Sequence, residues 1–186
     1  MRGSGWSTVT MLARMTCAVM AVCAAAASVG CSSTPPPPDA SAASAGAVGV
    51  PVSPAPRDMS TPEAATVSYL EWVSYAYVMA DPEAPVATMT AEEAVRVDAY
   101  IQLNRMNGQG IHQTLESFAV SSLEQGPAGA TVAARESWRY RYFLLETLEY
   151  TGEWLTASYD ATYTLVPGPE GWLVDRVDVT ALEPVR

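Results

Sequence analysis

The chain contains no lysine. Its ten cationic side chains are all arginine, set against 20 acids and a single histidine, His112, for a formal net charge of −10. A surface this acidic repels phosphate backbones and anionic headgroups, and no basic stretch interleaved with aromatics offsets it, so no nucleic-acid partner is expected. Cysteine is confined to positions 17, 23 and 31. Residues 32 to 186 therefore hold neither thiol nor disulfide, and a domain formed there relies on its core alone. One histidine, no cysteine in that part and scattered carboxylates give no metal-ligand spacing, so neither a metal nor a cofactor is expected. Phosphate-cradling glycine loops, nucleophile motifs and internal repeats are also missing.

Apolar residues are present but unevenly spread. Met1 to Arg14 carries Arg2 and Arg14 and no acid, and Met15 to Gly30 is a run of small and apolar residues. A positive flank, an apolar stretch and then small residues is the order of an export signal, here spanning residues 1–30. The run is shorter than the roughly 20 residues that cross a bilayer comfortably, although an uncleaved anchor stays open as an alternative. Ala27-Ser28-Val29-Gly30-Cys31 resembles the lipobox of bacterial lipoproteins, in which small or apolar residues precede an obligatory cysteine with Gly or Ala directly before it. Ser28 departs from the usual leucine. Cys17 after Thr16 and Cys23 after Val22 fit the motif poorly.

The resemblance implies that the Cys31 thiol takes a diacylglyceryl group and that the chain is cut after Gly30. Ordinary cleavage after Ala27 is the alternative. Two long acyl chains anchor a protein stably where one does not. The implied location is extracytoplasmic, with a lipid anchor in the cell membrane. Ser32 in place of Asp next to the cysteine permits outer-membrane sorting in a two-membrane host. The cut chain would keep eight arginines against 20 acids, a net charge of −12.

Residues 31–57 read as a tether. From Ser32 to Arg57 the chain holds seven of its 14 prolines and no aromatic residue, too little apolar bulk to offset the entropy of ordering. Such a stretch spans about 30 Å as a flexible coil and about 80 Å as extended polyproline.

The domain then covers residues 58–186. Thr61-Pro62-Glu63 gives a cap, a first-turn proline and an acid at the positive helix end. Ala65, Tyr69, Trp72, Val73, Ala76, Tyr77 and Ala80 recur at helical spacing, which predicts a helix over 62–80 stopped by Asp81-Pro82. Thr90-Ala91-Glu92-Glu93 reads as a capping box opening a second helix, with Ala94, Val97 and Ile101 in one apolar row and Val95, Ala99 and Met106 in another. Asn107-Gly108 ends it. After Gly110 the period becomes two, and strands are predicted over 111–123, 130–145, 154–166 and 171–182 with short, turn-rich connections. Helices first and strands afterwards indicate an α+β domain, N-terminal helices packed on one face of a curved four-stranded antiparallel sheet.

That order, with Ala130-Thr131-Val132-Ala133-Ala134-Arg135-Glu136-Ser137-Trp138, Tyr159-Asp160-Ala161-Thr162-Tyr163-Thr164-Leu165 and Gly171-Trp172-Leu173-Val174, resembles the NTF2-like superfamily, and within it the ARC6 IMS-like domains. The resemblance implies a conical NTF2-like fold over about residues 62–184. It implies less about function, because this fold hosts enzymes, binders and scaffolds, and no catalytic set of the family's enzymes matches residue by residue.

Glu136 is the sharpest oddity. Val132, Ala134, Glu136, Trp138, Tyr140 and Tyr142 fall on one strand face. A carboxylate buried there unpaired would have a raised pKa and could serve as general acid or ligand anchor. Paired with Arg135, Arg139, Arg141 or Arg176, or with a tyrosine hydroxyl, it would be structural. Glu136, Trp138, Tyr140, Tyr159 and Tyr163 form the candidate pocket, with Tyr142 and Trp172 as further aromatic lining; strand alternation equally makes these residues plain core. His112 reads as an exposed or capping residue, since no acid is placed to orient it as a base. No catalytic residue is assigned. The expected function is a non-catalytic, membrane-tethered protein-interaction module with an envelope protein partner. The alternatives are a small-molecule binder using the aromatic concave face and a dehydratase- or isomerase-type enzyme using Glu136.

Overall fold

The computed structural model describes residues 46–182. The export signal, the Gly30–Cys31 cut, the lipidation site and the tether as far as residue 45 lie outside the described residues. Among the described residues no helix is long and apolar enough to cross a membrane.

Helix α1 spans Pro62–Met79. Thr61 Oγ1 accepts the Ala64 N–H at 3.2 Å, satisfying one of the free donors at the helix start. Ala65, Tyr69, Val73 and Ala76 are buried along one stripe. Ala80 closes the helix in the left-handed conformation (φ 51°), and the next residue, Asp81, donates to the Ala76 carbonyl at 3.0 Å. Helix α2 spans Ala91–Met106. Only half of the expected capping box forms: Thr90 Oγ1 accepts the Glu93 N–H. The Thr90 N–H is taken by the Val174 carbonyl, which leaves the Glu93 carboxylate free to turn inward. Of the two apolar rows expected on α2, Val97 and Ile101 pack inward, whereas Val95 and Met106 are 68% and 84% exposed. The inward place beside Val97 goes instead to Glu93.

The sheet is a meander with strand order β1-β2-β3-β4, every pair antiparallel. β1 is Gln109–Gly126, β2 Gly129–Leu144, β3 Leu155–Gly168 and β4 Gly171–Ala181. Two-residue turns, Pro127-Ala128 and Pro169-Glu170, join β1 to β2 and β3 to β4. Register shifts at Leu115/Ser117 and Val120/Ser122 leave Glu116 and Ser121 as extra residues, bulges that increase the local twist of β1. Both helices pack on the face that carries Val132, Ala134, Tyr163, Leu165 and Val174, all at most 2% exposed. Gly171, at φ 134°, lets the last turn press against the chain just before α1, where Trp172 N–H donates to the Met59 carbonyl at 2.9 Å. A Cβ at Gly171 would run into that carbonyl.

The sequence reading starts the domain at residue 58. In the structure residues 46–57 already lie on it. Ala47 bridges to Glu149, Val48 N–H donates to Leu148 O at 2.9 Å, and Arg57 Nη2 donates to Ala84 O at 2.8 Å. The Arg57 guanidinium lies 3.9 Å from the centre of the Trp72 ring. Backbone pairing and one stacked cation hold the segment where apolar bulk is lacking.

Candidate functional site

The alternation of β2 carries Glu136 and Trp138 inward, and β3 brings Tyr163 beside them. Glu136 is 3% exposed, Tyr163 1% and Trp138 7%. Trp138 Nε1 donates to Glu136 Oε2 at 2.8 Å, and the Tyr163 hydroxyl donates to Oε1. Both carboxylate oxygens are thus met by donors from the protein itself, a tryptophan and a tyrosine, and no arginine takes part. Burial raises the Glu136 pKa, opposed by the two hydrogen bonds. Burial, followed by the neighbouring Glu136, pushes the Tyr163 hydroxyl upward, which keeps it a donor.

A second buried acid, not anticipated from sequence, adjoins the first. Glu93 accepts from the Tyr69 hydroxyl at 2.8 Å and from Arg96 Nη1 at 2.8 Å. Tyr69 and Tyr163 meet edge to face, their centroids 6.2 Å apart. The chain Glu136–Tyr163–Tyr69–Glu93–Arg96 therefore runs from the sheet through both helices. The capping-box spacing pointed Glu93 at its own helix end and hid this role.

The remaining candidate residues lie nearer the rim. Tyr140 and Tyr159 are half-buried. Burial pushes the Tyr140 hydroxyl up to about 12 and also raises Tyr159. Tyr140 packs edge to face on Tyr142, with centroids 6.0 Å apart. Trp172 is half-buried against the core. An open groove of about 350 Å³ lies elsewhere, between residues 51–55, α1 and the start of β1, lined by Pro51, Pro54, Glu71, Tyr75, His112 and Gln113. Among the described residues no group of three or more His, Cys, Asp or Glu is placed to hold a metal ion.

On the opposite face of the sheet His112 is half-buried. Its Nδ1 lies 2.5 Å from the Tyr150 hydroxyl, and its ring stacks on Tyr150 and meets Trp154 edge-on. Arg139 lies over Trp154 at 4.6 Å and Arg141 over Tyr150 at 4.4 Å. Burial, then the Arg139 charge, lowers the His112 pKa. This cluster pins the β2–β3 loop to the sheet. Tyr150 falls in the turn-rich connection expected between the second and third strands, which conceals it; the alternation of Arg139 and Arg141 on one face is the available signal. Arg135 pairs with Asp160 at 3.0 Å, and Arg139 approaches Glu116 at 3.7 Å, so the cationic face of β2 is largely neutralised.

No protein-family model matches the sequence, and no curated protein matches it. Solved structures do. The intermembrane-space region of the chloroplast protein ARC6 is 16% identical, with 67% of this chain and 97% of that chain covered at a TM-score of 0.57. At 0.40 stand a ketosteroid isomerase-like protein from Erwinia carotovora atroseptica SCRI1043 (19% identical, 66% and 94% covered) and an NTF-2 like protein of unknown function from Shewanella oneidensis MR-1 (12% identical, 64% and 98% covered). At these identities the likeness concerns the fold alone: the described residues form two helices on an open four-stranded antiparallel sheet, similar in fold to the ARC6 intermembrane-space region.

Proposed function

We propose that the chain is an extracytoplasmic lipoprotein, anchored to a membrane through Cys31, whose NTF2-like domain binds an envelope protein without catalysing a reaction. The observation that carries the non-catalytic reading is the closure of Glu136. The one acid on the inward face of the sheet has both oxygens engaged by Trp138 and Tyr163 and is 3% exposed. A general acid or base must reach the proton it moves, and this carboxylate faces its own core. The export-like leader and the Gly30-Cys31 pair support the anchor. The fold likeness to a region that lies in the chloroplast intermembrane space is compatible with an envelope setting.

Two measurements test the reading. Native mass spectrometry of the full-length protein, purified in detergent from its own host, should give a mass beginning at Cys31 with acyl chains added and a co-purifying polypeptide. A mass beginning at Ser28 without acyl chains would refute the anchor. Screening turnover of dehydratase and isomerase substrates should give none; a turnover abolished by Glu136→Ala or His112→Ala would refute the non-catalytic role.

A further inference from the structure

The longest strand of the domain is also one of the two edges of its sheet. β1 runs from Gln109 to Gly126, and from Glu116 onward every residue except the half-buried Phe118 is exposed. Among the described residues the backbone of this stretch bonds only to β2, so its outer row of N–H and C=O groups faces water. Pairing with β2 places Leu115, Phe118, Val120 and Leu123 opposite Trp138, Glu136, Ala134 and Val132, so all four lie on the inward face of the sheet. Val120 is 37% and Leu123 41% exposed. An edge with apolar side chains in alternation is a template for one more strand. The strand carries neither lysine nor proline, two common protections of such an edge.

Charge selects what pairs there. β1 contains two acids, Glu116 and Glu124, one on each side of the apolar stretch, and no arginine; Arg139 of the neighbouring β2 stands 3.7 Å from Glu116. A second copy of the chain, paired antiparallel about Val120, would set Glu116 against the partner copy's Glu124, twice over, between two molecules that each carry −10. Like charges directly opposite on a sheet destabilise the pair. The chain's own residues 32–45 are equally unsuited, since four consecutive prolines lack the N–H donors a ladder needs and no cation is present. A basic segment meets neither obstacle, and the acidic charge of the whole chain draws it in.

From this juxtaposition we infer that the β1 edge, residues 116–126, is a docking site for an extended segment of a partner protein, with alternating apolar side chains between basic flanks. The segment adds to the sheet as a fifth strand. Its apolar side chains lie beside Phe118, Val120 and Leu123, and its flanking cations meet Glu116 and Glu124. The bulges at Glu116 and Ser121 interrupt the ladder and limit regular pairing to short stretches, which suits a peptide segment better than a long sheet. This inference rests on the interaction-module reading and gives that module its surface.

The probe is a fluorescein-labelled synthetic peptide, Arg-Val-Thr-Val-Thr-Val-Arg, titrated with the full-length protein and followed by anisotropy. Saturable binding is expected, weakened about tenfold when Glu116 and Glu124 are both replaced by Gln, a loss equal to about one charge-assisted contact. The same peptide with Glu in place of Arg should not bind, nor should a version methylated on alternate backbone nitrogens, which keeps the side chains and loses the donors. Equal binding of the methylated peptide would overturn strand addition, and equal binding of the Glu peptide would overturn the charge selection. Sedimentation of the protein alone supplies a further check: a dimer dispersed by Val120→Arg would show that a second copy occupies the edge and overturn the proposal. Failure of the peptide with a native partner still co-purifying would sink the β1 site and leave the interaction module standing on another surface.

Discussion

Replacing Glu136 by Ala and by Gln separates what the buried carboxylate does by accepting hydrogen bonds from what it does by being charged. Alanine leaves the Trp138 N–H and the Tyr163 hydroxyl, in a core position 3% exposed, without an acceptor. Each orphaned donor costs about 1–3 kcal/mol, and the side-chain void adds to that. The expected loss is about 4 kcal/mol. At about 4 °C per kcal/mol for a domain of this size, the melting temperature falls by about 15 °C. Glutamine has one oxygen for Trp138 and an amide to donate to the Tyr163 oxygen, and it removes a buried charge. The Tyr163 hydroxyl proton then has no acceptor, so the cost should be about 1–2 kcal/mol, half that of Ala or less.

The pH dependence has a definite sign. Burial holds the folded pKa of Glu136 above its unfolded value. The folded state therefore keeps the proton to higher pH. The stability contributed by this group is complete below the unfolded pKa and is lost as pH rises through the folded one. The wild type should gain on Glu136→Gln as pH falls from 7 toward 4. Urea denaturation followed by near-ultraviolet circular dichroism measures both effects. If Gln proves as damaging as Ala, acceptor geometry is not what the network needs. If Ala melts within about 3 °C of the wild type, the carboxylate does not hold the core together.

Gly171→Ala forces a side chain onto φ 134° and against the Met59 carbonyl, and should cost about 2–4 kcal/mol by urea denaturation, whereas Gly126→Ala, which meets nothing within 4 Å, should cost much less. Arg57→Ala removes the cation over Trp72 and the bond to Ala84, so hydrogen exchange at the Val48 N–H should accelerate while the exchange of β3 amides stays unchanged. The pKa of His112 is lowered by burial and by Arg139, so the stability it contributes is complete above its unfolded value of about 6.5 and lost as pH falls through the folded value. Between pH 7.5 and 5 the wild type should lose stability relative to His112→Phe in paired urea curves; parallel curves would refute the burial of the imidazole.

The elements were legible because each has a local signature. Caps at Thr61 and Thr90, the proline at 62 and the change to period two after Gly110 report backbone physics that needs no tertiary context. The inward face of β2 was equally legible, since alternation alone places Val132, Ala134, Glu136 and Trp138 together. What Glu136 touches was not, because a tyrosine from β3 and an arginine from β2 are equally available to a pattern. The inward role of Glu93 is hidden for the same reason. Its spacing from Thr90 satisfies a capping box, and only the Val174 carbonyl, 84 positions further along the chain, takes the N–H that the box would use. Side-chain bulk, the criterion that ends the tether at residue 57, is blind to backbone pairing and to one arginine on an indole.

The meander has a bearing on how the domain assembles. Every strand pair joins neighbours in the sequence, so loop closure costs little at each step and the sheet grows in the order in which the chain is made. Among the longer-range backbone bonds, two tie the starts of the helices to the sheet, Trp172 N–H to Met59 O and Thr90 N–H to Val174 O, and both wait for β4. Until the final strand arrives, the starts of α1 and α2 lack these backbone ties to the sheet, and β3 is an open edge carrying Tyr163 and Leu165. A chain ending before Pro169 should therefore stop as a sticky three-stranded intermediate, with β4 serving as the latch that turns a string of local contacts into one cooperative unit.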